Sequence, residues 1–129
     1  MVRIVFFSLI FIFSCEFLNP TEVNLISDNQ FLEIQDTDYT LIDVRTIEEY
    51  ESGHIQNALN FDFYSESFQK DILKLEKNSQ IILYCRTQNR STKTADFLKE
   101  NGFREIKVIE GGITSWVKNG NDLVYNISE

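Results

Sequence analysis

The sequence predicts one α/β domain: a three-layer fold in which an open, mostly parallel sheet carries helices on both faces. Three observations predict it. Short apolar runs alternate with amphipathic, helix-like stretches from about residue 22 onward. One run, Ile81-Ile82-Leu83-Tyr84, is apolar throughout, as a strand buried on both faces would be. The chain's 129 residues are 43% hydrophobic and 13% aromatic, enough for a single core that needs no staples.

The elements follow in order. Val23-Asn24-Leu25-Ile26 reads as a short strand. Ser27 stands at a helix N-cap with Gln30 three residues on, the capping-box spacing, and Leu32 and Ile34 mark the apolar face. Tyr39 to Val44 is a second strand, apolar and partly β-branched. Thr46 with Glu49 repeats the capping-box spacing and opens a brief helix that Gly53 ends. Ala58 to Phe61 is a weak third strand. Ser65 is placed to cap a helix running to about Leu75, with Phe68, Ile72 and Leu75 on one side. After the Ile81–Tyr84 strand, residues 91–101 read as a helix that Ser91 opens, with Ala95, Phe97 and Leu98 facing inward. Gly102 sits where a C-terminal cap needs positive φ. Ile106 to Ile109 is the last strand, followed by Gly111-Gly112 and a helix over residues 113–119.

The bulk properties exclude several classes. The formal charge is −8, with acidic residues spread along the chain and no basic stripe, so nucleic acid is not an expected partner. One proline and five glycines argue against disorder, and no internal repeat or low-complexity segment is present.

The N-terminus reads as an address label. Met1-Val2-Arg3 precedes Ile4 to Phe13, an apolar run broken by Ser8 alone. A spanning helix needs about 20 apolar residues, and this run meets Glu16 well before that. Ile12-Phe13-Ser14-Cys15 resembles a bacterial lipobox, with small Ser14 before the cut, although Phe13 is bulkier than the pattern usually shows. The resemblance implies a signal peptide over residues 1–14, a lipid on Cys15, a linker over 15–21 and a domain over 22–129. It places the mature protein in the bacterial cell envelope, membrane-anchored, on the periplasmic side or at the outer membrane. An ordinary cleaved signal and a soluble exported protein is the alternative. Either way Cys85 is left without an intramolecular cysteine partner, and a lone thiol in an exported protein is a candidate for chemistry.

Cys85 directly follows the best strand, so its sulfur belongs at the carboxyl end of a central strand, where open α/β sheets build their sites. The helix start just beyond it offers free N–H groups and a partial positive charge. Arg86 and Arg90 add full charges, although cations at a helix N-terminus have no structural reason to be there. All of these features favour a thiolate over a thiol. The curled loop also offers amides to an anion.

Cys85-Arg86-Thr87-Gln88-Asn89-Arg90-Ser91 resembles the active-site loop of rhodaneses, and two further segments agree in order and spacing. Leu41-Ile42-Asp43-Val44-Arg45, with Glu48, Glu49, Tyr50, Gly53, His54, Ile55, Ala58 and Asn60, is similar to the family's first signature. Glu110-Gly111-Gly112-Ile113 with Trp116 is similar to its closing signature. The resemblance implies a sulfurtransferase in which Cys85 takes sulfur from a small anionic donor such as thiosulfate and holds it as a persulfide. A thiol or cyanide acceptor then collects it. It implies no metal and no organic cofactor. Arg86, Thr87, Gln88, Asn89 and Arg90 would bind the substrate, with the two arginines attracting the donor's charge. Gln88 departs from relatives that carry glycine there; a need for positive φ at that site would strain it or reshape the loop. His54 in its Gly-His-Ile turn, Asp43, Arg45 and Trp116 are expected to be structural.

Two rival readings come from other classes. Phosphatases and arsenate reductases resemble Cys-x5-Arg, whereas four residues separate Cys85 from Arg90 here, which favours sulfur over the larger phosphate. The other rival is a non-catalytic rhodanese-like module for protein interaction or sulfide binding.

Overall fold

The computed structural model describes residues 22–125. The signal peptide expected over 1–14, Cys15 and the linker over 15–21 lie outside the described residues. Ten elements alternate along the chain: β1 (Leu25–Ile26), α1 (Asp28–Glu33), β2 (Thr40–Asp43), α2 (Ile47–Glu51), β3 (Leu59–Asn60), α3 (Phe68–Ile72), β4 (Gln80–Tyr84), α4 (Asn89–Glu100), β5 (Glu105–Ile109) and α5 (Gly112–Lys118). The five strands form one sheet in the order β1-β5-β4-β2-β3. Every strand pair is parallel, so the expected mostly parallel sheet is parallel throughout.

β4 is the middle strand, and its alternation divides the core. Ile81, Leu83 and Cys85 pack on one face with Phe68 and Ile72 of α3 and Ala95 and Leu98 of α4. Ile82 and Tyr84 pack on the other with Phe31 of α1 and Ile113 and Trp116 of α5. Both faces of β4 are thus dry, which is why its sequence is apolar throughout rather than alternating. Among the described residues no helix is long and apolar enough to cross a membrane.

The local signals differ in how they are used. Ser27 and Gln30 make the complete capping box, each side chain bonding the other's backbone N–H. Thr46 accepts from the Glu49 N–H at 3.3 Å, but the Glu49 carboxylate turns away to another partner. Ser65 does not cap α3, contrary to expectation. Its hydroxyl serves a turn, accepting from the Ser67 N–H at 3.3 Å, and the helix starts at Phe68. That helix ends at Ile72 because the chain then tightens into i→i+3 turns through Lys74 and Leu75. Ser91 does not open α4 either; the helix begins two residues earlier, at Asn89.

The carboxyl end of β2 is fixed by a buried ion pair. Arg45 chelates Asp43, with its closest contact at 2.7 Å, and also donates to the Gly53 carbonyl at 2.7 Å. Burial opposes the Arg45 charge, but the hydrogen bonds and charge of Asp43 outweigh it and hold the guanidinium above its ordinary value. Asn60 donates to the carbonyls of Asp43 and Arg45, tying β3 to the same corner. His54 is structural as expected: it stacks on Tyr50 at 3.8 Å, its Nδ1 lies 3.1 Å from the Tyr50 carbonyl, and its backbone pairs with Val124.

Tyr84 yields a stability prediction. Its hydroxyl accepts from the buried Ile55 N–H at 3.0 Å, and burial, then the charge of Asp43, pushes its ionisation far above the ordinary tyrosine value. The stability that neutral Tyr84 contributes is therefore complete below pH about 10, where unfolded tyrosine ionises, and declines above it. Tyr84→Phe should cost about 1–3 kcal/mol at neutral pH by stranding the Ile55 N–H. Urea unfolding of both proteins at several alkaline pH values should show a shallower loss for the variant.

Candidate active site

Cys85 is the first residue after β4 and is only 1% exposed, yet it lines a cleft of about 320 Å³. The other lining residues are Glu49, Tyr64, Arg86, Thr87, Asn89 and Arg90. The cleft lies at the carboxyl end of the parallel strands, where the sequence placed it.

The loop over 85–88 takes its shape from α5. Ile113 N–H donates to the Cys85 carbonyl at 2.9 Å, and Thr114 donates to the Arg86 carbonyl through its N–H at 3.1 Å and its hydroxyl at 2.9 Å. In a trans peptide the carbonyl and the next N–H point in opposite directions. Fixing those two carbonyls toward α5 therefore turns the N–H groups of Arg86 and Thr87 away from it. Among the described residues nothing accepts the N–H groups of Arg86, Thr87, Gln88, Asn89 or Arg90. A run of free amides leading into the first turn of a twelve-residue helix is an anion site in waiting.

The approach of α5 requires glycine at its start. Gly112 has φ +56°, and a methyl there would press into the Cys85 and Thr87 carbonyl oxygens. The Gly-Gly pair of the sequence is thus the hinge on which α5 comes down onto the loop.

Gln88 behaves differently from expectation. Its φ is −155°, so no left-handed conformation is demanded and its departure from glycine causes no strain of that kind. Its side chain does not line the cleft; it reaches over to accept from the Gly111 N–H at 3.4 Å. Any part it plays in binding substrate falls to its backbone.

Two side chains bear directly on the sulfur. Ser91 Oγ lies 3.4 Å from Cys85 Sγ and donates to the Gln88 carbonyl at 3.0 Å. Its hydroxyl has one proton, which can turn from that carbonyl to an ionised sulfur. Arg90 is held by Glu49, whose two oxygens receive its Nη1 and Nη2 at 3.2 and 2.8 Å. Burial works against the Arg90 charge, but Glu49, and to a lesser extent Cys85 and Tyr64, hold its guanidinium above the ordinary value. The two arginines expected to act together are therefore unequal: Arg86 is exposed, while Arg90 already has an anion.

The sequence does not mark Glu49 or Tyr64 as cleft residues, yet both line it. Tyr64 is 69% exposed on the rim, with the Arg90 guanidinium 5.6 Å from its ring centroid. Nothing in the local pattern marks Tyr64, and the Thr46–Glu49 spacing gave Glu49 a local role that hid its distant one. Among the described residues no three His, Cys, Asp or Glu side chains converge as metal ligands would.

The fold recurs among known proteins. The profile of the rhodanese-like domain family matches residues 27–119. The tRNA uridine(34) hydroxylase of Escherichia coli is 34% identical over 111 residues, covering 83% of this chain. The chain spans 30% of that relative's length. A rhodanese-related protein from Thermoplasma volcanium superposes with a TM-score of 0.70 at 30% identity, covering 78% of this chain and 97% of that one. The polysulfide-sulfur transferase homodimer of Wolinella succinogenes shares the fold, with a TM-score of 0.66 at 23% identity over 81% of this chain and 80% of its own.

Gly112→Ala tests whether α5 shapes the loop. The substitution should lower stability by about 1–3 kcal/mol through overpacking against backbone. It should also change the rate at which iodoacetamide alkylates Cys85 in the folded protein. A variant with wild-type melting and wild-type alkylation would mean that α5 does not set the loop's shape.

Proposed function

The chain belongs to the family of rhodanese-like domains, and from that premise we propose that it is a sulfurtransferase carrying sulfane sulfur as a persulfide on Cys85. The observation that supports this best is one buried cysteine that shares a cleft with Arg86 and Arg90 and opens a run of amides without acceptors.

The cycle uses only the chain's own groups. The Cys85 thiolate attacks the outer sulfur of an anionic donor such as thiosulfate. The donor's S–S bond breaks, sulfite leaves with the electron pair, and Cys85 is left as Cys85–S–S⁻. In this reading the free N–H groups of the loop and the α4 terminus receive the terminal anion. Arg86 and Arg90 flank the approach, and the Ser91 hydroxyl supports the inner sulfur. A thiolate or cyanide then attacks the terminal sulfur and restores the Cys85 thiolate. The first transfer charges the enzyme and the second discharges it, with covalent catalysis splitting one displacement into two.

The alternative, an interaction or sulfide-binding module, needs neither the cysteine nor the free amides that follow it. The Escherichia coli relative is named for hydroxylation of a tRNA uridine, but the formal charge of −8 argues against RNA as a partner of this chain. Intact-mass measurement after thiosulfate treatment separates the two readings. Wild type should gain one sulfur atom, Cys85→Ser should gain none, and cyanide should remove the sulfur as thiocyanate. An unmodified wild type would favour the interaction reading.

We also propose that residues 1–14 are a signal peptide and that Cys15 carries a lipid, anchoring the domain to the bacterial envelope. The Ile4–Phe13 run and the Ser14-Cys15 pair support this. One acyl chain binds membranes only marginally, so firm anchoring requires more than one. Palmitate labelling of cells making the full chain should mark the wild type and not Cys15→Ala. Labelling of both would sink the assignment.

A further inference from the structure

Arg90 reaches the cleft already engaged. One edge of its guanidinium is gripped by both Glu49 oxygens at 3.2 and 2.8 Å, and its carbon lies 5.6 Å from the Tyr64 ring centroid. Glu49 lines the same hollow as Cys85, and its carboxylate is fixed there by Arg90. An entering donor therefore meets two positive side chains, Arg86 and Arg90, and two negative ones, Glu49 and the attacking Cys85 thiolate of the proposed cycle. The side-chain charges balance, and the free amides are left as the attraction. Among the described residues Arg86 is the one cleft cation without a carboxylate partner. The formal charge of −8 over the whole chain adds repulsion at longer range.

A pocket built to capture a dianion would leave both arginines open to it. Here a carboxylate occupies one of them at the cleft wall. We propose that Glu49 is a specificity-determining residue, biasing the site against dianionic sulfane donors and toward monoanionic ones of the thiosulfonate class. The inference rests on the persulfide reading above and leaves thiosulfate as a donor of lower efficiency. With a monoanionic thiosulfonate, R–SO2–S⁻, the Cys85 thiolate attacks the outer sulfur and the S–S bond breaks. The sulfinate R–SO2⁻ leaves with the electron pair, and Cys85–S–S⁻ remains. Two negative charges enter and two leave, and no proton moves.

Thiosulfate and methanethiosulfonate make a matched pair of probes, each offering one sulfane sulfur on a sulfonyl centre and differing by one charge. The measurement is the ratio of their kcat/KM values, thiosulfate over methanethiosulfonate. Glu49→Gln removes the charge and keeps an oxygen for Arg90. Differences between the leaving groups cancel when the ratio is compared across proteins. The substitution should raise the ratio about tenfold, because the dianion feels the lost carboxylate twice as strongly as the monoanion does. The unaltered protein gives a second measurement that needs no variant. Its ratio should rise with added potassium chloride, as screening relaxes the repulsion.

A ratio that stays within about twofold in Glu49→Gln overturns the role of Glu49 and leaves the persulfide reading standing. A wild-type ratio that falls with salt also overturns the inference, because it means the site attracts the dianion. If neither probe places sulfur on Cys85 of the wild type, the persulfide reading fails, and the inference fails with it.

Discussion

The two carbonyls that follow β4 are held by the first amides of α5, and the character of the cleft depends on that contact. Left to itself, a loop after a strand would turn its peptide groups to suit water. Here Ile113 and Thr114 take the Cys85 and Arg86 oxygens at 2.9 and 3.1 Å, which leaves the following N–H groups no choice of direction. The amides then continue into the first turn of α4, so the backbone alone gives the loop after Cys85 a positive character. Preorganised dipoles of this kind need not rearrange when charge arrives, which is where electrostatic catalysis gets its strength.

Side-chain charge is arranged on a separate scaffold. Glu49 stands on α2, and α2 is located by the corner where Arg45 joins Asp43 and Gly53. The cleft is therefore assembled from two parts: an amide lining set by α5, and a charge balance set from the end of β2. The two meet at Arg90, whose guanidinium Glu49 holds and whose backbone N–H belongs to the run of free amides. Tyr64 adds a third, exposed part from the turn before α3.

Much of this was legible in the sequence, for physical reasons that differ by element. The β4 run could be read because a strand buried on both faces must be apolar at every position. The Ser27–Gln30 cap could be read because its geometry is complete within four residues. The sequence marks Cys85, Arg86, Thr87, Asn89 and Arg90, and the fold brings them to one cleft. What escaped was non-local. The partner of Arg90 lies 41 residues away, and a capping-box spacing offered a nearer role for the same glutamate. The Ser65 and Ser91 hydroxyls read as helix starts, yet one serves a turn and the other a buried sulfur. Local spacing says that a hydroxyl will find a partner, and tertiary packing decides which one.

The position of α5 in the chain has a consequence in time. The group that pins the Arg86 carbonyl lies 28 residues further along, in the last helix of the fold. A chain emerging from the ribosome can finish β4 and α4 while the loop between them still has nothing to fold against. The thiol is made early, and its oriented surroundings arrive late. The oriented loop beside Cys85 is thereby absent from the nascent polypeptide and forms only once α5 has docked.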